Sequence, residues 1–208
     1  MENGINYGSP YTSLNLKKYQ HSNSSQSQEA FVLNVLKEKK EGVFVEIGSS
    51  NPRESNNTYL LEKEFNWSGL AIDYDKRLVD LYNKERSTPC LHFDATKFNY
   101  TRYFEENNFP ERIDYLQIDI DDTPRHANLL ALLQVPLQNY RFSIITIEHD
   151  YIRDYTLEKM RDAQRFILSS LGYELVVNGS SEDFWVDKSY VPQENYWSLY
   201  TIGQLYLN

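Results

Sequence analysis

Cysteine and long apolar runs are the two things this chain of 208 residues most clearly lacks. Cys90 is the only cysteine, so no disulfide can form within the chain. No run of apolar residues reaches the length of a signal-peptide core or of a membrane-spanning helix. These absences argue against a disulfide-stabilised secreted scaffold, and they predict a protein of the reducing cytoplasm with no membrane partner.

Basic charge is also scarce. The chain has 21 Lys and Arg residues against 30 Asp and Glu, for a formal net charge of -9. Its densest basic run, residues 37–40, is interrupted by Glu38 and followed by Glu41. A nucleic-acid-binding face needs basic side chains to neutralise phosphates. We therefore expect no nucleic-acid partner, and we favour a neutral or cationic small substrate.

Glycine is scarce where a dinucleotide would need it. The loop after the first predicted strand, residues 48–55, reads GSSNPRES and contains one glycine, Gly48. Dinucleotide enzymes place three glycines in this loop so that the backbone can approach a pyrophosphate. A diphosphate would therefore fit poorly here. An adenosine ligand without phosphates, such as S-adenosylmethionine (SAM), would fit better.

Acidic residues recur at or near the carboxyl ends of short β-branched and aromatic runs. They are Glu46, Asp73, Asp94, Asp119 and Glu148, and the successive spacings are 27, 21, 25 and 29 residues. Each spacing matches one strand, one crossover helix and their turns. This rhythm predicts an α/β fold, a Rossmann-like doubly wound sheet that is mostly parallel. Ligands bind outside the carboxyl ends of such strands, so we expect these acids to line one crevice.

The two ends of the chain differ from this repeating pattern. The runs 173–177 and 183–187 flank Asn178-Gly179, which predicts a closing antiparallel strand pair. Residues 1–26 are polar and contain Gly4, Gly8 and Pro10, which indicates an N-terminal arm or lid. We expect a first helix from about Ser27 to Lys39 and a single domain over residues 27–208.

Six segments, in this order, resemble a known family. They are Val45-Glu46-Ile47-Gly48, Asn57-Thr58-Tyr59-Leu60-Leu61-Glu62-Lys63, Trp67-Ser68-Gly69, Tyr115-Leu116-Gln117-Ile118-Asp119, Ile145-Thr146-Ile147-Glu148-His149-Asp150 and Glu182-Asp183-Phe184-Trp185-Val186. The chain is similar, from about residue 24 to residue 187, to the FkbM-type methyltransferases. These are class I SAM-dependent O-methyltransferases, many of which act on sugars or glycosylated natural products. The resemblance implies SAM as cofactor and a sugar or glycan hydroxyl as acceptor.

The resemblance also implies roles for individual residues. The cofactor-binding set would be Glu46, Gly48, Ser49, Asp73, Asp94, Ala95 and Asp119. Gly48 and Ser49 would contact the methionine end, and Glu46 would orient it. Asp73 would hold the ribose, and Asp94 with Ala95 would face the adenine edge. For Asp73 and Asp94 the alternative interpretation is helix capping after a strand.

The chemistry is expected at the ends of the fourth and fifth strands. A sugar hydroxyl needs a general base or a metal ion to lower its pKa. We predict Asp119, Asp121 and His149 as catalytic residues. The arrangement Asp119-x-Asp121 with Glu148-His149 is similar to the metal site of another group of sugar O-methyltransferases. Mg²⁺ is therefore left open as a second cofactor, with Asp119, Glu148 and His149 as its candidate ligands. The alternative for His149 is a hydrogen-bonded histidine that supports its loop.

Three further matters stay open from the sequence alone. The acceptor could be a small molecule other than a sugar. The chain could instead be a non-catalytic ligand-binding module of a larger glycan-assembling protein. The sequence does not decide between a monomer and a homodimer.

Overall fold

A computed structural model describes residues 28–121 and 125–196. The predicted N-terminal arm, residues 1–26, therefore lies outside the described residues. The helices are α1 (Gln28–Val35), α2 (Tyr59–Phe65), α3 (Lys76–Glu85), α4 (Tyr100–Glu106), α5 (Ala127–Gln134) and α6 (Glu158–Ser170). The strands are β1 (Val43–Ile47), β2 (Ser68–Asp73), β3 (Cys90–His92), β4 (Arg112–Ile118), β5 (Arg141–Glu148), β6 (Tyr173–Asn178) and β7 (Glu182–Asp187).

The seven strands form one sheet in the order β3-β2-β1-β4-β5-β7-β6. The pairs among β1 to β5 are parallel. Strand β7 is antiparallel to both β5 and β6. The predicted Rossmann-like, mostly parallel sheet with a C-terminal antiparallel pair is thus confirmed.

Helices cover both faces of the sheet, which explains why the central strands are mostly apolar. On one face, Phe31 of α1 packs edge-on against Phe184 of β7, with ring centroids 5.1 Å apart. On the other face, Trp185 of β7 and Leu116 of β4 share a core with Leu168 of α6. Neighbouring strand residues thus belong to two separate cores, as strand alternation requires.

The first helix is shorter than the sequence predicts. It ends at Val35 rather than at Lys39. Lys37 and Glu38 adopt left-handed backbone conformations, with φ of 54° and 56°. The amide of Glu38 donates to the carbonyl of Leu33 at 2.7 Å, which closes the helix. The side-chain pattern does not reveal this helix end, because residues 36–39 are also compatible with one more turn of helix.

Membrane insertion was not expected from the sequence. Within residues 28–121 and 125–196, no helix combines the length and the apolar character needed to cross a bilayer.

Candidate active site

The strand order reverses between β1 and β4, and Gly48 lies at this switch point. Its φ is +84°, and a β-carbon built on it would lie 1.8 Å from the carbonyl oxygen of Asp119. Only glycine fits both the conformation and the close approach. Gly48 also donates its backbone N–H to the carbonyl of Ile72 at 2.9 Å. The chain therefore turns tightly at the point where a ligand would meet the backbone.

The loop after Gly48 is held by contacts within the protein. Ser49 is buried, and its Oγ lies 3.3 Å from the Sγ of Cys90. The carbonyl of Ser49 accepts a hydrogen bond from the Nδ2 of Asn56 at 3.0 Å. The backbone N–H of Ser50 donates to Asp73 at 2.7 Å. The predicted cofactor residues Gly48, Ser49 and Asp73 are thus adjacent.

Asp73 ends β2 next to the loop that follows Gly48 and is half-buried. One of its carboxylate oxygens accepts from Ser50, and the other accepts from the backbone N–H of Asp75 at 2.8 Å. Each oxygen keeps a second lone pair for a ligand hydroxyl. Asp75, rather than Asp73, caps α3. The capping alternative therefore does not account for Asp73.

Asp94 shows the capping role that the sequence left as an alternative. Its Oδ1 accepts from the backbone N–H and the Oγ1 of Thr96, and its Oδ2 accepts from the Nζ of Lys97 at 2.7 Å. The hydrogen bond from Lys97 lowers the pKa of Asp94 below its usual value. An adenine amine would have to share oxygens that are already engaged. Ala95 follows, buried, at the start of a 3-10 turn.

Tyr74 is a site candidate that the sequence reasoning missed. It directly follows Asp73, and 76% of its surface is exposed. Nearby Phe93 is 47% exposed. Exposed aromatic rings beside Asp73 offer flat faces on which a nucleobase could stack. The sequence signal, an aromatic after a strand-end acid, is too common in a chain with 17 tyrosines to be selected in advance.

Glu46 lies beneath the loop, with no exposed surface. It accepts hydrogen bonds from the Oγ1 of Thr58 at 2.9 Å, the backbone N–H of Asn57 at 3.3 Å and the hydroxyl of Tyr82 at 3.2 Å. Burial raises the pKa of Glu46 to about 7, and the charge of Arg86 opposes the rise. Glu46 therefore supports the loop after Gly48 through its hydrogen bonds with Asn57 and Thr58.

Asp119 and Glu148 form a hydrogen-bonded acid pair at the ends of β4 and β5. Burial raises the pKa of Asp119, and the hydrogen bond from Glu148 opposes this rise. Burial, and then the negative charge of Asp119, raises the pKa of Glu148 to about 10. At neutral pH Glu148 therefore keeps its proton, and it can donate this proton in a hydrogen bond to Asp119.

Glu182 extends this pair into a row of acids. It pairs directly with Glu148 in the β5–β7 register, and it accepts from the Nε2 of Gln28 at 2.6 Å. Burial and the charge of Asp119 raise the pKa of Glu182 well above its usual range. Only the register between antiparallel strands brings Glu182 here, so spacing along the sequence could not reveal it.

Gln117 lies two residues before Asp119 and points to the same face of β4. Its register neighbours are Glu46 on β1 and Thr146 on β5. The side chain has no exposed surface, and within the described part of the chain neither of its amide atoms has a hydrogen-bond partner. A buried unpaired amide is costly and is rare in native proteins.

His149 lies apart from the acid pair, on the opposite side of the strand end from Glu148. It is 1% exposed, its Nδ1 accepts from the backbone N–H of Tyr151 at 3.2 Å, and its Nε2 is 3.5 Å from Asp183. Asp183 is held in turn by Arg165. This geometry matches the loop-supporting alternative rather than the predicted base.

The predicted metal set is not assembled. Asp119 and Glu148 are together, but His149 faces Asp183. Across residues 28–121 and 125–196, no three His, Cys, Asp or Glu side chains are grouped so that they could hold a metal ion. The described residues therefore do not fit Mg²⁺ in this arrangement. Asp121 is exposed and adds negative charge next to Asp119.

Comparison with known proteins bears on the fold. No family model and no curated protein matches this chain. An O-methyltransferase from Bacillus cereus in complex with SAH (S-adenosylhomocysteine) is similar, with a TM-score of 0.52, 15% identity, and coverage of 88% of this chain and 93% of that one. An SAH-bound methyltransferase from Podospora anserina has a TM-score of 0.53 and 8% identity, with 81% of each chain covered. This chain shares the Rossmann-like fold of these methyltransferases.

Proposed function

We propose that this protein is a SAM-dependent O-methyltransferase that acts on a hydroxyl of a sugar or glycan. The observation that carries the proposal is the acid pair Asp119–Glu148 beside Gly48 at the switch point of the sheet. The two neighbours of the same fold that hold SAH support the choice of cofactor. The sugar acceptor rests on the resemblance to the FkbM-type enzymes.

The residues of the β1 and β2 ends suit this cofactor. Gly48 turns the chain tightly against the backbone of Asp119, and the loop has no further glycine that would admit a pyrophosphate. Asp73 offers its free lone pairs to the ribose hydroxyls, and Tyr74 offers a face to the base. The predicted cofactor-binding set also includes Glu46, Ser49, Asp94, Ala95 and Asp119. When bound, SAM supplies an electrophilic methyl group.

Asp119 is the proposed general base. The acceptor hydroxyl gives its proton to the Asp119 carboxylate as the oxygen is alkylated. The hydrogen bond from Glu148 opposes the rise in the pKa of Asp119 and orients its carboxylate before the transfer. A positioned base of this kind contributes about 10²–10⁴-fold in rate. Alignment of the acceptor oxygen with the methyl group supplies much of the remaining rate enhancement. Neither His149 nor a metal ion takes part in this proposal.

The acid row also favours an uncharged, hydroxyl-rich acceptor. The carboxyl groups of Asp119 and Glu148 at the strand ends can form hydrogen bonds with sugar hydroxyls, whereas Glu182 and Gln117 are buried. Together with the net charge of -9, they disfavour a polyanionic acceptor such as nucleic acid. A cytoplasmic location stays a prediction from the sequence.

A methyl-transfer assay tests the proposal. The protein is incubated with ¹³C-methyl-labelled SAM and a panel of methyl glycosides and phenols, and NMR detects new O-methyl signals. Transfer to a glycoside that is lost in Asp119→Asn and kept in Asp80→Asn, an exposed acid of α3, would support it. Transfer only to phenols would favour a non-sugar acceptor. Binding of SAH without transfer to any acceptor would favour the non-catalytic module.

A further inference from the structure

Arg86 directly follows α3, and its side chain is 0% exposed. The guanidinium makes four hydrogen bonds, and all of them go to the segment between β1 and α2. The acceptors are the carbonyl of Pro52 at 3.0 Å, the Oδ1 of Asn56 at 2.9 Å, and the carbonyl and Oγ1 of Thr58 at 3.2 and 3.0 Å. The buried guanidinium of Arg86 thus holds both ends of the segment from Pro52 to Thr58.

The opposite side of the guanidinium is held as firmly. Its Nε lies 3.0 Å from a carboxylate oxygen of Glu62 in α2. Its carbon lies 4.6 Å from the ring centroid of Tyr82 and 5.6 Å from that of Tyr59. A planar guanidinium with this many partners has one orientation, which a lysine ammonium could not reproduce.

Two short chains of contacts lead from Arg86 to the cofactor residues. Asn56 accepts from Arg86 through Oδ1 and donates to the carbonyl of Ser49 through Nδ2 at 3.0 Å. Thr58 accepts from Arg86 and donates from the same Oγ1 to Glu46 at 2.9 Å. Arg86 therefore reaches both Ser49 and Glu46 through a single intervening residue.

The loop needs such support because its own backbone is strained. Ser50 and Ser55 adopt left-handed conformations, with φ of 49° and 55°, although neither is glycine. Each such residue costs about 1–2 kcal/mol. Related binding loops relieve this cost with glycines, and here Gly48 is the only glycine in the loop.

We propose that Arg86 is a positioning residue for the cofactor. Its guanidinium, acting through Asn56 and Thr58, holds the loop in the form that binds the methionine end of SAM. The inference rests on the proposed function. Arg86, which lies outside the crevice, would supply the rigidity that glycine-rich loops obtain from their backbone.

Calorimetric titration of the full chain with SAH tests this inference. We expect Arg86→Lys to weaken SAH binding by about tenfold or more, the loss that follows from removing charged hydrogen bonds. Arg77→Lys is the matched control, because Arg77 lies exposed in α3 and pairs only with Asp75 in that region. It should bind SAH with wild-type affinity.

A second variant separates positioning from folding. Asn56→Ala cuts the link to Ser49 but leaves the ion pair between Arg86 and Glu62, so SAH binding should weaken even if Arg86→Lys fails to fold. A melting temperature measured for each variant reports stability separately. Folded variants that bind SAH as the wild type does would overturn the inference, whatever their stability. Absence of SAH binding by the wild type would instead overturn the proposed function and the inference with it.

Discussion

Gly48 and Asp119 touch across strands β1 and β4, so closely that a β-carbon on Gly48 would lie 1.8 Å from the carbonyl oxygen of Asp119. The backbone N–H of Asp119 also donates to the carbonyl of Ile47 at 2.9 Å. The turn that would receive the cofactor and the acid that would receive the acceptor's proton therefore belong to one rigid unit. Their separation is set by the sheet.

This contact predicts that Gly48→Ala is severely destabilising. Overpacking against a backbone carbonyl and the positive φ together should cost about 3–5 kcal/mol of unfolding free energy. Gly172→Ala is the control, because Gly172 has φ of +85° but nothing within 4 Å of an added β-carbon. It should lose only about 1 kcal/mol. Urea unfolding of both variants measures the difference, and equal losses would contradict the account.

The unpaired amide of Gln117 predicts that its replacement by an apolar side chain increases the stability of the protein. Gln117→Met replaces a buried group that has no partner in the described residues, so the unfolding free energy should rise by about 1–2 kcal/mol. Gln164→Met makes the same change at a buried glutamine whose Nε2 donates to the carbonyl of Glu148 at 3.1 Å. That variant should lose stability. A loss of stability in Gln117→Met would mean that its amide is paired in solution.

The raised pKa of Glu148 predicts a pH dependence of stability. The folded protein keeps this proton up to about pH 10, whereas the unfolded chain loses it near pH 4.5. Between these values the unfolded state binds fewer protons, so stability falls as pH rises. Glu148→Gln cannot lose a proton and should show a flatter decline. Denaturation midpoints measured from pH 5 to pH 9 test this, and parallel curves for the two proteins would contradict it.

Substitutions of Asp119 and His149 should have different effects, because Asp119 is the proposed base and His149 supports its loop. Asp119→Asn removes the proposed base and should lower turnover by about 10²–10⁴-fold with little change in SAH affinity. His149→Ala removes a buried side chain that contacts Tyr151 and Asp183, so it should lower stability by about 1–3 kcal/mol. Turnover per folded molecule should change far less. The reverse pattern in steady-state kinetics and thermal melts would restore His149 as the base.

The sheet could be predicted from the sequence because each parallel strand is a nearly continuous apolar run. Strand β5, for example, ends at Glu148, one of the acids that the sequence places at or near the carboxyl end of such a run. The switch-point turn at Gly48 could be predicted for the same reason, since it directly follows such a run. These features depend on local pattern, which the sequence displays directly.

The contacts between strands could not be predicted in this way. Glu182 meets Glu148 only through the antiparallel register of β5 and β7. Arg86 reaches Asn56 and Thr58 only because α3 folds back over the loop. For His149 a local signal did exist, because residues that follow each other in a strand point to opposite faces. The prediction that Glu148 and His149 share one metal site did not take this alternation into account.

The central claim is that the crevice binds SAM, and calorimetric titration of the wild-type protein with SAM, SAH and NAD tests it most directly. Each titration is run with Mg²⁺ and with EDTA. The account predicts micromolar binding of SAM and SAH, unaffected by EDTA, and no binding of NAD. Preference for NAD, or binding of none of the three, would contradict it.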